Sequence, residues 1–178
     1  MTKVVIDTNV IVSAALSSNG ASYGVVSLFA DAEIEIYYSK EILEEYREVL
    51  AREHLRIPED VQKAYLNEIE THGKLVNPAV SKIHMPDEDD RPFYDTAKEV
   101  NAIVVTQNIK DFPKDPTIIK PDQYLTEWRR LKHLEQHSVF MQLPLEYTDD
   151  ELKQQRILEL RKEQKWQNQH LKNIKPEL

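Results

Sequence analysis

Apolar residues recur along this chain in two rhythms. Val4-Val5-Ile6 and Ala102-Ile103-Val104-Val105 are short continuous runs rich in β-branched residues, the pattern of strands buried on both faces. Ile34-Glu35-Ile36-Tyr37-Tyr38 alternates as a strand should, and Thr117-Ile118-Ile119 reads as a last short one. Helical spacing fills the intervals. One helix covers Val10 to Leu16, with Asn9 placed to cap it. After the Ser17-Ser18-Asn19-Gly20 turn a second covers Ser22 to Ala30. A third runs from an N-cap at Ser39 to about Glu53, with Ile42, Leu43, Tyr46, Val49 and Leu50 on one face. Pro58 begins a helix that Gly73 ends after His72. Asp90 to Asn101 is the next, its apolar positions being Phe93, Tyr94, Ala97 and Val100, and Pro121-Asp122 opens one through Tyr124, Leu125 and Trp128. Leu75-Val76 and the region of Ile83 are too short and mixed to assign. Strands alternating with helices predict a parallel sheet covered on both faces.

Beyond about Leu131 the pattern changes. Thr148-Asp149-Asp150-Glu151 is a capping-box sequence, and residues 151–170 are rich in helix formers with a diffuse apolar stripe. We therefore expect an α/β domain over residues 1–130 and a C-terminal helical extension over 131–178, the latter a solvated helix that folds over the domain or onto a partner.

Charge and composition narrow the chemistry. The formal net charge is −8, which argues against a protein that coats nucleic acid by electrostatics alone but leaves a nuclease open. Residues 1–124 hold 13 Lys and Arg against 22 Asp and Glu, so the acid excess belongs to the α/β part. With no cysteine, any metal must be held by carboxylate, amide or imidazole groups, which suits a hard cation such as magnesium or manganese. No apolar run approaches the roughly 20 residues that span a bilayer, and no signal peptide opens the chain, so a cytoplasmic protein is expected.

Strand ends in such sheets are where sites form, and three acids stand on elements that can meet there. Asp7 follows the first strand. Glu45 is the acid of its helix nearest the buried stripe, and Asp90 falls in the first turn of its helix, in line with the apolar face. At an effective dielectric near 20 and a spacing of about 5 Å, each like-charge pair costs roughly 3 kcal/mol. A divalent cation removes that conflict. Magnesium keeps several waters and binds through one or two carboxylates plus phosphate oxygens, so an open acid triad suits phosphodiester hydrolysis. Thr8, Asn9 and Thr106 are strand-end polar residues placed to hydrogen-bond the acids or a phosphate, though Asn9 reads equally as a helix cap. Asp87, Glu88 and Asp89 read as a solvated loop, and the six histidines show no ligand spacing. Lys40, Arg47 and Lys110 lie close in sequence to the acids, where they could meet RNA phosphates.

Taken together, Val5-Ile6-Asp7-Thr8-Asn9, the helix around Glu45-Tyr46, Asp90-Arg91-Pro92-Phe93 with Ala97, and Ile103-Val104-Val105-Thr106-Gln107-Asn108-Ile109-Lys110-Asp111-Phe112 resemble a PIN domain of the VapC-like toxin group. The resemblance covers about residues 2–128. It implies a three-layer α/β/α sandwich with a central parallel sheet, and an endoribonuclease that uses Mg2+ or Mn2+. It also implies the toxin of a toxin–antitoxin pair, neutralised by a cognate antitoxin and homodimeric. Carried over by position, Asp7, Glu45 and Asp90 match the family's first three acids, catalytic and metal-holding. Asn108 stands where the fourth acid is common. An amide is a poorer metal ligand, so Asp111, one turn later, is a further candidate, while Asn108 can instead orient a water or a carboxylate. Two alternatives remain open: a housekeeping RNA-processing nuclease, and a catalytically weakened PIN domain that acts as a binding module.

Overall fold

The computed structural model describes the backbone of residues 1–141 and the side chains of residues 1–135. Five parallel strands form one sheet: β1 (Thr2–Ile6), β2 (Ile34–Tyr38), β3 (Lys74–Leu75), β4 (Ile103–Val105) and β5 (Ile118–Ile119), in the spatial order β3-β2-β1-β4-β5. β1 lies at the centre, its Val4 opposite Ile36 of β2 and its Ile6 opposite Val105 of β4. Val4, Val5 and Ile6 point alternately to the two faces, and all three are fully buried. Both faces of the sheet are therefore covered by helices, completing the three-layer α/β/α sandwich.

Among the described residues six helices are interleaved with the strands: α1 (Thr8–Leu16), α2 (Ala21–Ala30), α3 (Lys40–Leu50), α4 (Glu59–His72), α5 (Arg91–Val100) and α6 (Pro121–Met141). Helix α3 begins at Ser39, whose hydroxyl accepts the Ile42 N–H, and its apolar stripe buries Ile42, Tyr46 and Leu50. The Tyr46 hydroxyl is fully buried and donates to the Ile6 carbonyl, so α3 is fastened to the carboxyl end of β1. Tyr46 and Phe93 of α5 lie 6.3 Å apart between ring centroids, within the range of a favourable aromatic pair.

Several local expectations need correction. Asp7, not Asn9, caps α1, because the extended backbone at Asp7 aims its carboxylate at the Asn9 N–H. Helix α3 stops at Leu50 rather than near Glu53, and a 3₁₀ turn, Glu53–Leu55, follows. Pro58 precedes α4 as its cap residue. In α5, Val100 is only half-buried, whereas Asp95 and Thr96 are buried. The capping box at Thr148–Glu151 and the helix expected over 151–170 lie outside the described residues.

The strand order places a topological switch beside β1. The chain leaves β1 toward β2 and β3 on one side and returns to β4 and β5 on the other. A crevice is expected at the carboxyl ends of β1 and β4, where the connections diverge.

Candidate active site

Asp7 and Thr106 are the residues that directly follow β1 and β4, at the carboxyl edge of the sheet. The Asp7 N–H continues the strand pairing by donating to the Val105 carbonyl at 3.0 Å. Its carboxylate, buried to 4% exposure, is held by three donors. Oδ1 accepts the Asn9 N–H at 3.1 Å, while Oδ2 accepts the Asn9 side-chain amide at 2.7 Å and the Thr106 hydroxyl. Burial raises the Asp7 pKa above the usual carboxylate value, and these donors offset part of that rise.

The same network reaches across the edge of the sheet. Asn9 Oδ1 accepts the Gln107 N–H at 3.1 Å, and Thr106 Oγ1 accepts the Asn108 N–H at 2.9 Å. Gln107 reaches on to α2, its side-chain amide donating to Ser22 Oγ at 3.0 Å. Nothing local in the sequence signals Gln107, because its partners are 98 and 85 residues away.

Glu45 enters from α3, one residue before the anchored Tyr46. Thr8 Oγ1 donates to its carboxylate at 2.6 Å. Burial raises the Glu45 pKa, the Thr8 bond lowers it, and the Asp7 charge raises it again. Asp90 stands just before α5 in a helical backbone conformation, with no side-chain capping bond. Its carboxylate is therefore not spent on capping the helix. Burial pushes its pKa up to about 7, with further contributions from Asp7, Asp87, Asp111 and Glu45. Asp111 sits in the 3₁₀ turn Ile109–Asp111, and its charge acts on both Asp7 and Asp90.

The loop before Asp90 is fixed by Arg91. Its guanidinium donates to the Ser81 carbonyl at 2.8 Å, to the Ile83 carbonyl at 2.9 Å and to both oxygens of Glu88. Asp95 accepts the Ser81 N–H from below at 3.1 Å. Asp87, Glu88 and Asp89 are exposed, as a solvated loop should be. Arg47 is committed to an ion pair with Glu70, whereas Lys40 and Lys110 are exposed. The four histidines with described side chains, His54, His72, His84 and His133, are exposed.

The donor set suits a hard divalent cation: every candidate ligand is an oxygen, and the pKa of Asp90 is raised to about 7, by burial first and then by the charges of Asp7, Asp87, Asp111 and Glu45. Among the described residues, no three Asp, Glu or His side chains are arranged to hold an ion together as they stand. Asn108 is exposed, a neutral amide at the rim of the acids.

Comparison with known proteins follows the same outline. The PIN domain family matches residues 3–110. An uncharacterized protein of Methanocaldococcus jannaschii is 32% identical over 108 residues, 58% of this chain and 69% of that protein. Among solved structures, a chain of VapBC2 from Rickettsia felis bound to a DNA fragment from their promoter aligns with a TM-score of 0.46 at 19% identity, covering 67% of this chain and 97% of that one.

Proposed function

From a chain that belongs to the PIN-domain family, whose members are in general metal-dependent nucleases, we propose an endoribonuclease that uses Mg2+ or Mn2+. The observation that carries this reading is the gathering of acids from four segments around Asp90, whose pKa is pushed up to about 7 by burial first and then by the charges of Asp7, Asp87, Asp111 and Glu45. Such crowding is costly for a merely structural edge and useful for holding a cation against a phosphodiester.

In this reading Asp7, Glu45 and Asp90 would hold the ion, and Asp111, whose charge acts on both Asp7 and Asp90, would add to the site. A divalent ion so held lowers the pKa of its water and offsets charge on the leaving oxygen. The protein's own groups supply position. Thr106 and Asn9 fix the Asp7 carboxylate, Thr8 orients Glu45, and the Arg91 fork holds the loop that delivers Asp90. Asp90, whose pKa burial and the neighbouring acids raise to about 7, would release its proton if a cation bound near pH 7. Asn108 orients water or a neighbouring carboxylate.

The proposal extends to biology: a cytoplasmic toxin that cleaves RNA, is neutralised by a cognate antitoxin and works as a homodimer. Induced expression in a bacterial host tests that part. Growth arrest that Asp7→Asn or Asp90→Asn relieves supports it, and retained toxicity in both variants would sink it. Normal growth with RNA cleavage intact favours the housekeeping nuclease. The Asn108 amide favours one further reading, a weakened PIN domain used for binding, in which only Asn108→Asp would cut RNA.

A further inference from the structure

Beside the acids the carboxyl edge of the sheet opens into a second depression with different chemistry. It lies between the α1–α2 turn, the residue after Thr106 and the start of α6, and has a volume of about 380 Å³, within the range of about 300–1,000 Å³ typical of small-ligand sites. Asn19, Tyr23, Gln107, Lys120 and Asp122 supply its distinctive side chains, and Lys120 and Asp122 are the only charges in its lining. The acid centre repels anions, whereas this neighbour is charge-balanced and rich in amides and hydroxyls.

We propose that this depression seats one unpaired RNA base flanking the scissile phosphate and gives the enzyme its base preference. The proposal rests on the nuclease reading above and adds to it a subsite for substrate. Three observations carry it. Gln107 directly follows Thr106, whose hydroxyl holds Asp7, so the wall of the depression and the acid centre share one rigid strand end. Gln107 is also fixed at its far end by Ser22, which is buried to 6% exposure, so the amide is preorganised rather than free. Finally, the lining matches a base better than a bare phosphate. Tyr23, 41% exposed, offers a ring for stacking, and the side-chain amides carry both donors and acceptors, as base edges require. One lysine balanced by one aspartate offers little to a phosphate alone. A chain with net charge −8 cannot rely on charge to gather RNA, so stacking and hydrogen bonds must supply the affinity.

The test uses the full chain and a fluorescein-labelled pool of random RNA octamers. Binding is measured in the Asp7→Asn background, where the RNA stays intact, and cleavage of the same pool is sequenced in the otherwise native protein. Tyr23→Ala and Gln107→Ala are expected to weaken binding about tenfold and to flatten the base preference beside the cut, while circular dichroism stays unchanged because both side chains are exposed. In cleavage they should raise KM far more than they lower kcat. Binding within twofold of the parent, or an unchanged sequence pattern at the cut, would overturn the subsite. The two readings fail separately. Cleavage that ignores both substitutions rejects the subsite and keeps the nuclease. Loss of binding in a protein that never cuts rejects the nuclease and keeps the RNA site.

Discussion

Asp7 serves two structures at once, as the cap of α1 and as the buried carboxylate at the centre of the crevice. Asparagine caps helices about as well as aspartate, so Asp7→Asn keeps the α1 cap through Oδ1, gives up the bond that Oδ2 accepts from the Asn9 amide, and should lose RNA cleavage at least about a hundredfold, since removing a single catalytic electrostatic contact costs about that much. Asp90 makes a different prediction. Its folded-state pKa of about 7 lies above the ordinary value of 3.8, so the folded protein holds a proton there that the unfolded chain has released. In the metal-free protein the contribution of this group is full below its ordinary value of 3.8 and is lost as pH rises toward and through about 7. Asp7 and Glu45, also raised, act in the same direction. Thermal unfolding in chelator should show a falling Tm from pH 5 to pH 8, a fall that Asp90→Asn flattens. A saturating divalent cation should restore stability chiefly at pH 8, by about 2.7 kcal/mol at a hundredfold excess over Kd. A Tm that is unchanged across this range would remove the carboxylate crowding from the account. Asn108→Asp should tighten Mn2+ binding in calorimetry, because it adds a charged ligand at the rim of the acids.

At the scale of elements, the site depends on how α3 and α5 are fastened to the sheet. Tyr46→Phe removes the buried bond from α3 to the Ile6 carbonyl and should cost about 1–3 kcal/mol in denaturant unfolding. Gly73 is a second fixed point. A Cβ there would sit 2.5 Å from the Ile69 carbonyl oxygen and 2.9 Å from the Tyr38 ring, so Gly73→Ala should destabilise the protein by about 1–3 kcal/mol. Elements with strong periodicity were legible in advance. The apolar runs of β1 and β4 and the stripe and Ser39 cap of α3 are local signals, and all appear where the residues indicate. The failures are physical as well. Asn9 and Asp7 are both good caps, and only the extended backbone at Asp7 decides between them. The end of α3 carries no glycine or proline, and the chain turns instead through Arg56 at φ 53°, a conformation rare for such a residue. Asp95 looks like an exposed position of α5, yet it is buried and accepts the Ser81 N–H, 14 residues away in sequence. The acids were visible as residue types at strand and helix ends. The network from Asp7 through Asn9 and Gln107 to Ser22 was not, because it joins segments far apart in sequence.

At the scale of the whole molecule, charge and topology pull in opposite directions. The parallel sheet gathers carboxylates at its switch point, and the net charge of −8 repels the polyanion those carboxylates would cut. RNA binding should therefore depend weakly on salt. With one or two phosphate contacts the log–log slope for a single strand is about −1, and a slope steeper than about −3 would mean that a basic surface dominates recognition. The central claim remains that the acids after β1, within α3 and just before α5 form a metal-dependent ribonuclease centre. The most direct measurement is cleavage of a pool of structured RNAs, transfer RNA included, by the purified full chain with Mg2+ or Mn2+, beside chelator and Asp7→Asn controls. The account predicts discrete cuts that require the metal and vanish in Asp7→Asn. Cuts that persist in chelator or in Asp7→Asn, or no cuts with either metal, would contradict it.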